Sequence, residues 1–158
     1  GTINDIAIHG IDLVEYLTGL SRKRVIAARC WNAFAKEVPS FKDSAQFMIE
    51  LSNGAGLMAD VSYSAPNSSG YKLPFYWRFT LWGTKGVMEF NYNSKEITVA
   101  LDGKPDVETI PIPNEDTGDC LSIFVDELNG KPTYIDTEQV LKATRNTLLI
   151  QEYADKQG

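Results

Sequence analysis

Three tight-turn signatures constrain what this 158-residue chain can fold into. Asn53-Gly54, Gly83-Thr84-Lys85-Gly86 and Asp102-Gly103 each interrupt a run of aliphatic, β-branched and aromatic residues. Asn-Gly and Asp-Gly between such runs are strong hairpin-turn signals. Such short connections join antiparallel neighbours, because parallel strands need a crossover of a dozen residues or more. The flanking segments therefore read as strands of an antiparallel sheet, over 24–34, 44–51, 55–64, 75–82 behind Pro74, 87–92, 96–101 and 107–112.

The two ends of the chain carry a helical period instead. Over 5–19, a rotation of about 100° per residue brings Asp5, His9, Asp12 and Tyr16 within roughly 60° of one another. The opposite arc holds Ile6, Ala7, Gly10, Ile11, Leu13, Val14 and Leu17. Thr2-Ile3-Asn4-Asp5 fits a capping pattern at the start, and Gly19 is a stop signal. Leu121, Phe124, Val125 and Leu128 have the spacing of one helix face, ended by Asn129-Gly130. Asp136-Thr137-Glu138-Gln139 is a capping-box variant that opens a last helix to about Ala154. Helix, run of strands, two helices is an α+β layout: an open, predominantly antiparallel sheet with helices packed on one face. One domain over 1–158 is expected.

His9 is the only histidine in the chain. Asp5 stands one turn before it, where a carboxylate can orient the ring and raise its basicity. Both residues also have plain roles open to them. Asp5 can complement the helix dipole, and a helical histidine can be a surface residue. Other motifs fail on context. Gly54-Ala55-Gly56-Leu57-Met58-Ala59 matches a dinucleotide fingerprint, but a strand follows it where a helix N-terminus is needed. Gly83-Thr84-Lys85-Gly86 lacks the spacing of a phosphate loop and leads into a strand. No His/Cys cluster has metal-ligand spacing, and no Gly-x-Ser-x-Gly elbow occurs. Within the 63–76 loop, Tyr71 and Lys72 are candidates to line a substrate pocket. The alternative is an ordinary exposed loop.

A net charge of −6 argues against nucleic acid and anionic membranes as partners. No apolar run approaches the roughly 20 residues of a spanning helix. Cys30 and Cys120 lie far apart in dissimilar contexts; one disulfide between them is possible, but they read as two buried thiols in a reducing, cytoplasmic compartment. The strands carry apolar residues on both faces: Trp77, Phe79 and Leu81 alternate with Tyr76, Thr80 and Trp82. Helices cover one face only. The other, with Tyr63, Tyr76, Trp77 and Trp82, is expected to form a homo-oligomer contact.

Asp5, His9, Asp12, Leu13, Tyr16, Leu17 and Gly19 together resemble the motif that opens the C-terminal domain of the Gfo/Idh/MocA dehydrogenases. Asn53-Gly54-Ala55, Gly83-Thr84-Lys85-Gly86-Val87-Met88-Glu89-Phe90 and the 124–154 helix pair extend the likeness along nearly the whole chain. The resemblance implies a GAPDH-like C-terminal domain, preceded in the family by a Rossmann domain, and an open sheet that makes oligomer contacts. It implies that Asp5 binds or orients a sugar, inositol or other polyol. His9 would take the hydroxyl proton as hydride leaves for NAD or NADP, while Asp12 supports the helix. The family's Glu-Lys-Pro lysine and its Rossmann unit do not occur in these residues. The expectation is a fragment, cut at Gly1-Thr2 from a two-domain enzyme, that binds no nucleotide and is inactive alone. A non-catalytic sugar-binding regulator or stand-alone dimerisation module of the same fold is the alternative.

Overall fold

Hairpins do build the strand-rich part of the chain, but they build two antiparallel sheets, of three and four strands. This computed structural model describes residues 1–72, 76–114 and 118–157, and of Tyr71 the backbone only. The chain divides into two compact units, residues 1–64 with 119–158 and residues 65–118.

In the first unit, β1 (Arg22–Trp31), β2 (Ser44–Leu51) and β3 (Gly56–Ser62) pair in that order. The Asn53-Gly54 turn sets the register: Ile49 faces Leu57, Phe47 faces Ala59 and Ala45 faces Val61. Side chains alternate across a strand, so one face collects Ala45, Phe47, Ile49 and Leu51 and the other Gln46, Met48 and Glu50. Two register shifts in β1, within 22–24 and 25–27, break its alternation as bulges do.

The terminal helices cover the apolar face. The first opens as a π-helical turn, Ile3–Ala7, and continues as α1 (Ile8–Thr18). Gly19 ends it at φ 66°, a left-handed conformation that costs glycine little. The long helix α3 (Thr137–Asp155) buries Ala143, Asn146, Thr147, Ile150 and Ala154, at helical spacing. Ile3, Ala7 and Ile11 join Ile150 and Ala154 against Ala28, Phe47 and Ile49 to form the core.

The helical wheel places this stripe imperfectly. Leu17 is exposed, and Glu15 takes a buried position. Its carboxylate accepts from the Arg22 N–H at 2.9 Å and the Asn146 amide at 2.8 Å, and pairs with the Lys142 ammonium at 3.1 Å. A carboxylate with these partners can go inside. The capping expectation also fails: Thr2 makes no side-chain cap bond and donates its hydroxyl to the Lys42 carbonyl. The α2 helix (Cys120–Leu128) is capped by Asp119, which accepts from the Leu121 and Ser122 N–H groups at 2.9 and 3.0 Å. Its apolar spacing does not translate into burial, since no α2 residue is buried and Leu121, Phe124, Val125 and Leu128 are all exposed. The α3 cap is as expected, with Asp136 accepting from the Gln139 N–H at 2.7 Å.

The second unit is a meander of β4 (Phe79–Gly83), β5 (Gly86–Phe90), β6 (Glu96–Leu101) and β7 (Glu108–Pro111). Strand β4 starts later than expected, because Tyr76 and Trp77 lie in a turn with Trp77 at φ 50°. Pro74 and Phe75 lie outside the described residues. Register puts Phe79 beside Phe90, and Leu81 beside Met88 and then Val99, on one face. Thr80, Glu89, Thr98 and Thr109 form a polar row on the other. Gly86 is required where it stands: its φ is 151°, and a Cβ would lie 2.2 Å from the Ala100 carbonyl oxygen.

Candidate functional site

Asp5 sits in the π turn and His9 in the first turn of α1, and both are exposed. A π turn carries i→i+5 bonds, here from the Ile8 N–H to the Ile3 carbonyl; such turns are rare and occur frequently at functional sites. Ile3, Ala7 and Ile11 lie in the core on the other side of this segment. Tyr16, further along, is exposed as well. Asp12 is half-buried and accepts from the Gln139 amide at 3.3 Å, which ties α1 to α3.

A residue from another element completes this face. Tyr63, just beyond β3, donates its hydroxyl to the Asp5 carboxylate. Its ring meets that of Phe41 with centroids 5.1 Å apart. Partial burial, then the hydrogen bond to Asp5 and its negative charge, push the phenol up to about 12. Tyr63 was expected on the sheet face away from the helices. Lying past the strand end, it instead turns toward the helical side.

The loop beneath Tyr63 is fixed by Asp43, which is 1 % exposed. That carboxylate accepts from the N–H groups of Ala33, Phe34 and Ala35, each at 2.8 Å, and from the Ser44 hydroxyl at 2.9 Å. Desolvation raises its pKa, but the bonds from Ala35, Ala33, Phe34 and Ser44 outweigh that and hold it far below the usual carboxylate range. Asn32 donates to the carbonyls of Ala35, Val38 and Phe41 at 2.7, 3.0 and 2.9 Å. The sequence offered no pattern for either residue, since both act through loop backbone.

The other candidates lie in the second unit. Lys72 ends a short 3-10 turn, Gly70–Lys72, and is exposed. The side chain of Tyr71 is outside the described residues. The glycines of 54–59 do not fit a nucleotide: Leu51 N–H donates to Ala55 O at 2.8 Å and Gly56 opens β3. No helix N-terminus therefore follows to meet a pyrophosphate. Among the described residues no group of three or more His, Cys, Asp or Glu is placed to hold a metal, and no helix is long and apolar enough to cross a membrane.

A family model for the GFO/IDH/MocA C-terminal domain matches residues 1–89. No curated protein sequence matches the chain. Among solved structures, a Thermotoga maritima protein described as an oxidoreductase matches at TM-score 0.83 and 20 % identity, over 100 % of this chain and 46 % of its own. The aldose-aldose oxidoreductase of Caulobacter crescentus, complexed with glycerol, matches at TM-score 0.70 and 22 % identity, over 100 % and 46 %. An inositol dehydrogenase homolog of Azotobacter vinelandii, complexed with NADH and myo-inositol, matches at TM-score 0.71 and 14 % identity, over 98 % and 48 %. The chain spans just under half the length of each. At these identities the likeness speaks for the fold.

Proposed function

The chain belongs to the GFO/IDH/MocA C-terminal domain family, and from that premise we propose that it is the substrate-binding and oligomerisation domain of an NAD(P)-dependent dehydrogenase. Its substrate is a sugar, inositol or related polyol, oxidised at a secondary hydroxyl. The observation that carries this reading is the solvent-facing pair Asp5 and His9, presented from a π turn and the helix it opens. Complexes of two structural neighbours with glycerol and myo-inositol support the substrate class.

The chemistry assigned to this chain is proton transfer. Oxidising a secondary alcohol removes the hydroxyl proton and the hydride on the same carbon. His9 accepts the proton, which needs a base near neutral pKa within hydrogen-bond reach. Asp5 accepts a hydrogen bond from a substrate hydroxyl and so orients the carbon. The hydride acceptor is a nicotinamide nucleotide, bound by a separate domain, because the glycine motif here is a hairpin. Exposed Leu121, Phe124 and Leu128 on α2, with Leu141 and Leu148 on α3, are the surface we assign to that domain. The length of the structural neighbours beyond this fold leaves room for it. Exposed side chains on the sheets supply contacts between copies, through Met48 paired with Met58 in the first unit and Trp82 in the second. Cys30 is half-buried and Cys120 exposed, not both buried as expected; both are unpaired thiols, which suits a reducing, cytoplasmic setting.

The test is nucleotide reduction by the full-length gene product, with myo-inositol, glycerol and a panel of aldoses, using NAD and NADP in turn. Substrate-dependent reduction of either nucleotide supports the reading. No reduction with any of them, in a folded protein that binds nucleotide, would overturn it.

A further inference from the structure

Tyr63 is held from three directions. Its N–H donates to the Asp43 carbonyl at 3.0 Å, its ring lies on Phe41, and its hydroxyl reaches Asp5 across 58 positions of sequence. The same loop also grips the start of the helix, because Thr2 donates to the Lys42 carbonyl. Asp5 and Tyr63 are thus referenced to one rigid segment, 32–43, whose backbone is locked by Asp43 and Asn32.

An exposed aspartate on a helix ordinarily samples several rotamers. A charge-assisted bond from a fixed phenol selects one of them. The phenol proton is spent on that bond, so the Tyr63 oxygen keeps only acceptor capacity toward a ligand. Two acceptor oxygens, one carboxylate and one phenolic, then stand side by side, and adjacent hydroxyls of a vicinal diol are the matching donors. We propose that Tyr63 is a positioning residue of the Asp5–His9 site, fixing the Asp5 carboxylate and forming with it a paired acceptor for a vicinal diol. This rests on the reading of that face as the substrate site.

The test is Tyr63→Phe in the full-length protein, since it removes the hydroxyl and leaves the ring on Phe41. The polyol KM should rise roughly tenfold, the scale of a lost hydrogen bond to a charged group. The nucleotide KM should stay unchanged, and kcat should fall by a smaller factor. A wild-type polyol KM in Tyr63→Phe, alongside an inactive His9→Ala, would overturn the role of Tyr63 and leave the substrate site standing. Full activity in both variants would overturn the two together. A readout free of turnover is the NMR titration of tyrosine Cζ in the full-length protein. One tyrosine, absent from the Tyr63→Phe spectrum, should titrate near 12 and fall in Asp5→Asn, keeping the part of the rise that burial causes. An ordinary value for that tyrosine in the wild type would show that the bond to Asp5 is not made in solution, and would overturn the proposal even if KM changed.

Discussion

The two units use the same antiparallel hairpins to different ends. All the buried core side chains, from Ile3 to Ala154, belong to residues 1–64 and 119–158. Among the described residues, none of 65–118 is fully buried, and the apolar face of β4 to β7 is only partly covered. The first unit has helices on its sheet, and helix cover is what drives exposure down to nearly nothing at Ile49 and Ile150. Among its described residues the second has a sheet and no long helix. An apolar sheet face needs a partner layer to exclude water fully. The lesson is that strand alternation alone does not make a core.

The largest effect should come from the covered sheet. Ile49→Ala removes a fully buried side chain and should cost about 2–5 kcal/mol in urea unfolding. A cost below about 1 kcal/mol would mean that the first unit is not packed as described. Next comes the buried carboxylate of α1. Glu15→Ala strands the Asn146 amide and the Arg22 N–H, and should cost about 2–3 kcal/mol by the same measurement. The acid limb sharpens the picture further. Asp43 has a lowered pKa when folded, so its contribution is present above about pH 4 and is lost as pH falls through the folded value. The urea midpoint of wild type should therefore drop on acidification more steeply than that of Asp43→Asn, whose midpoint starts lower. Equal slopes would contradict the locked loop. The smallest effect belongs to the second unit: Trp82, 82 % exposed, should tolerate Trp82→Ala within about 0.5 kcal/mol in the same chain when monomeric. Hydrogen exchange should follow the same division, with β1 to β3 amides protected well beyond those of β4 to β7.

Much of this was legible in the sequence, because turns and periodicity act locally. Asn53-Gly54, Gly83 to Gly86 and Asp102-Gly103 each mark a hairpin, and Asp136 caps its helix as its position suggests. The exposure of Asp5 and His9 follows from the helical wheel as well. What the wheel could not show depends on distant partners. Thr2 leaves its cap role because the Lys42 carbonyl is within reach, and Glu15 is buried because Asn146 and Lys142 meet it from another helix. Leu121, Phe124 and Leu128 have an amphipathic spacing that says nothing about what covers them. Tyr63 joins Asp5 only through tertiary folding, so no spacing rule could find it.

The central claim is that the face bearing His9 performs the proton transfer. The direct measurement is kcat of His9→Ala in the full-length protein, set against wild type between about pH 6 and 9. The account predicts a fall on the order of 10²-fold or more, the low end for a lost general base, with nucleotide affinity unchanged. A variant that keeps the wild-type kcat throughout that range would contradict it and leave His9 a surface residue of the helix.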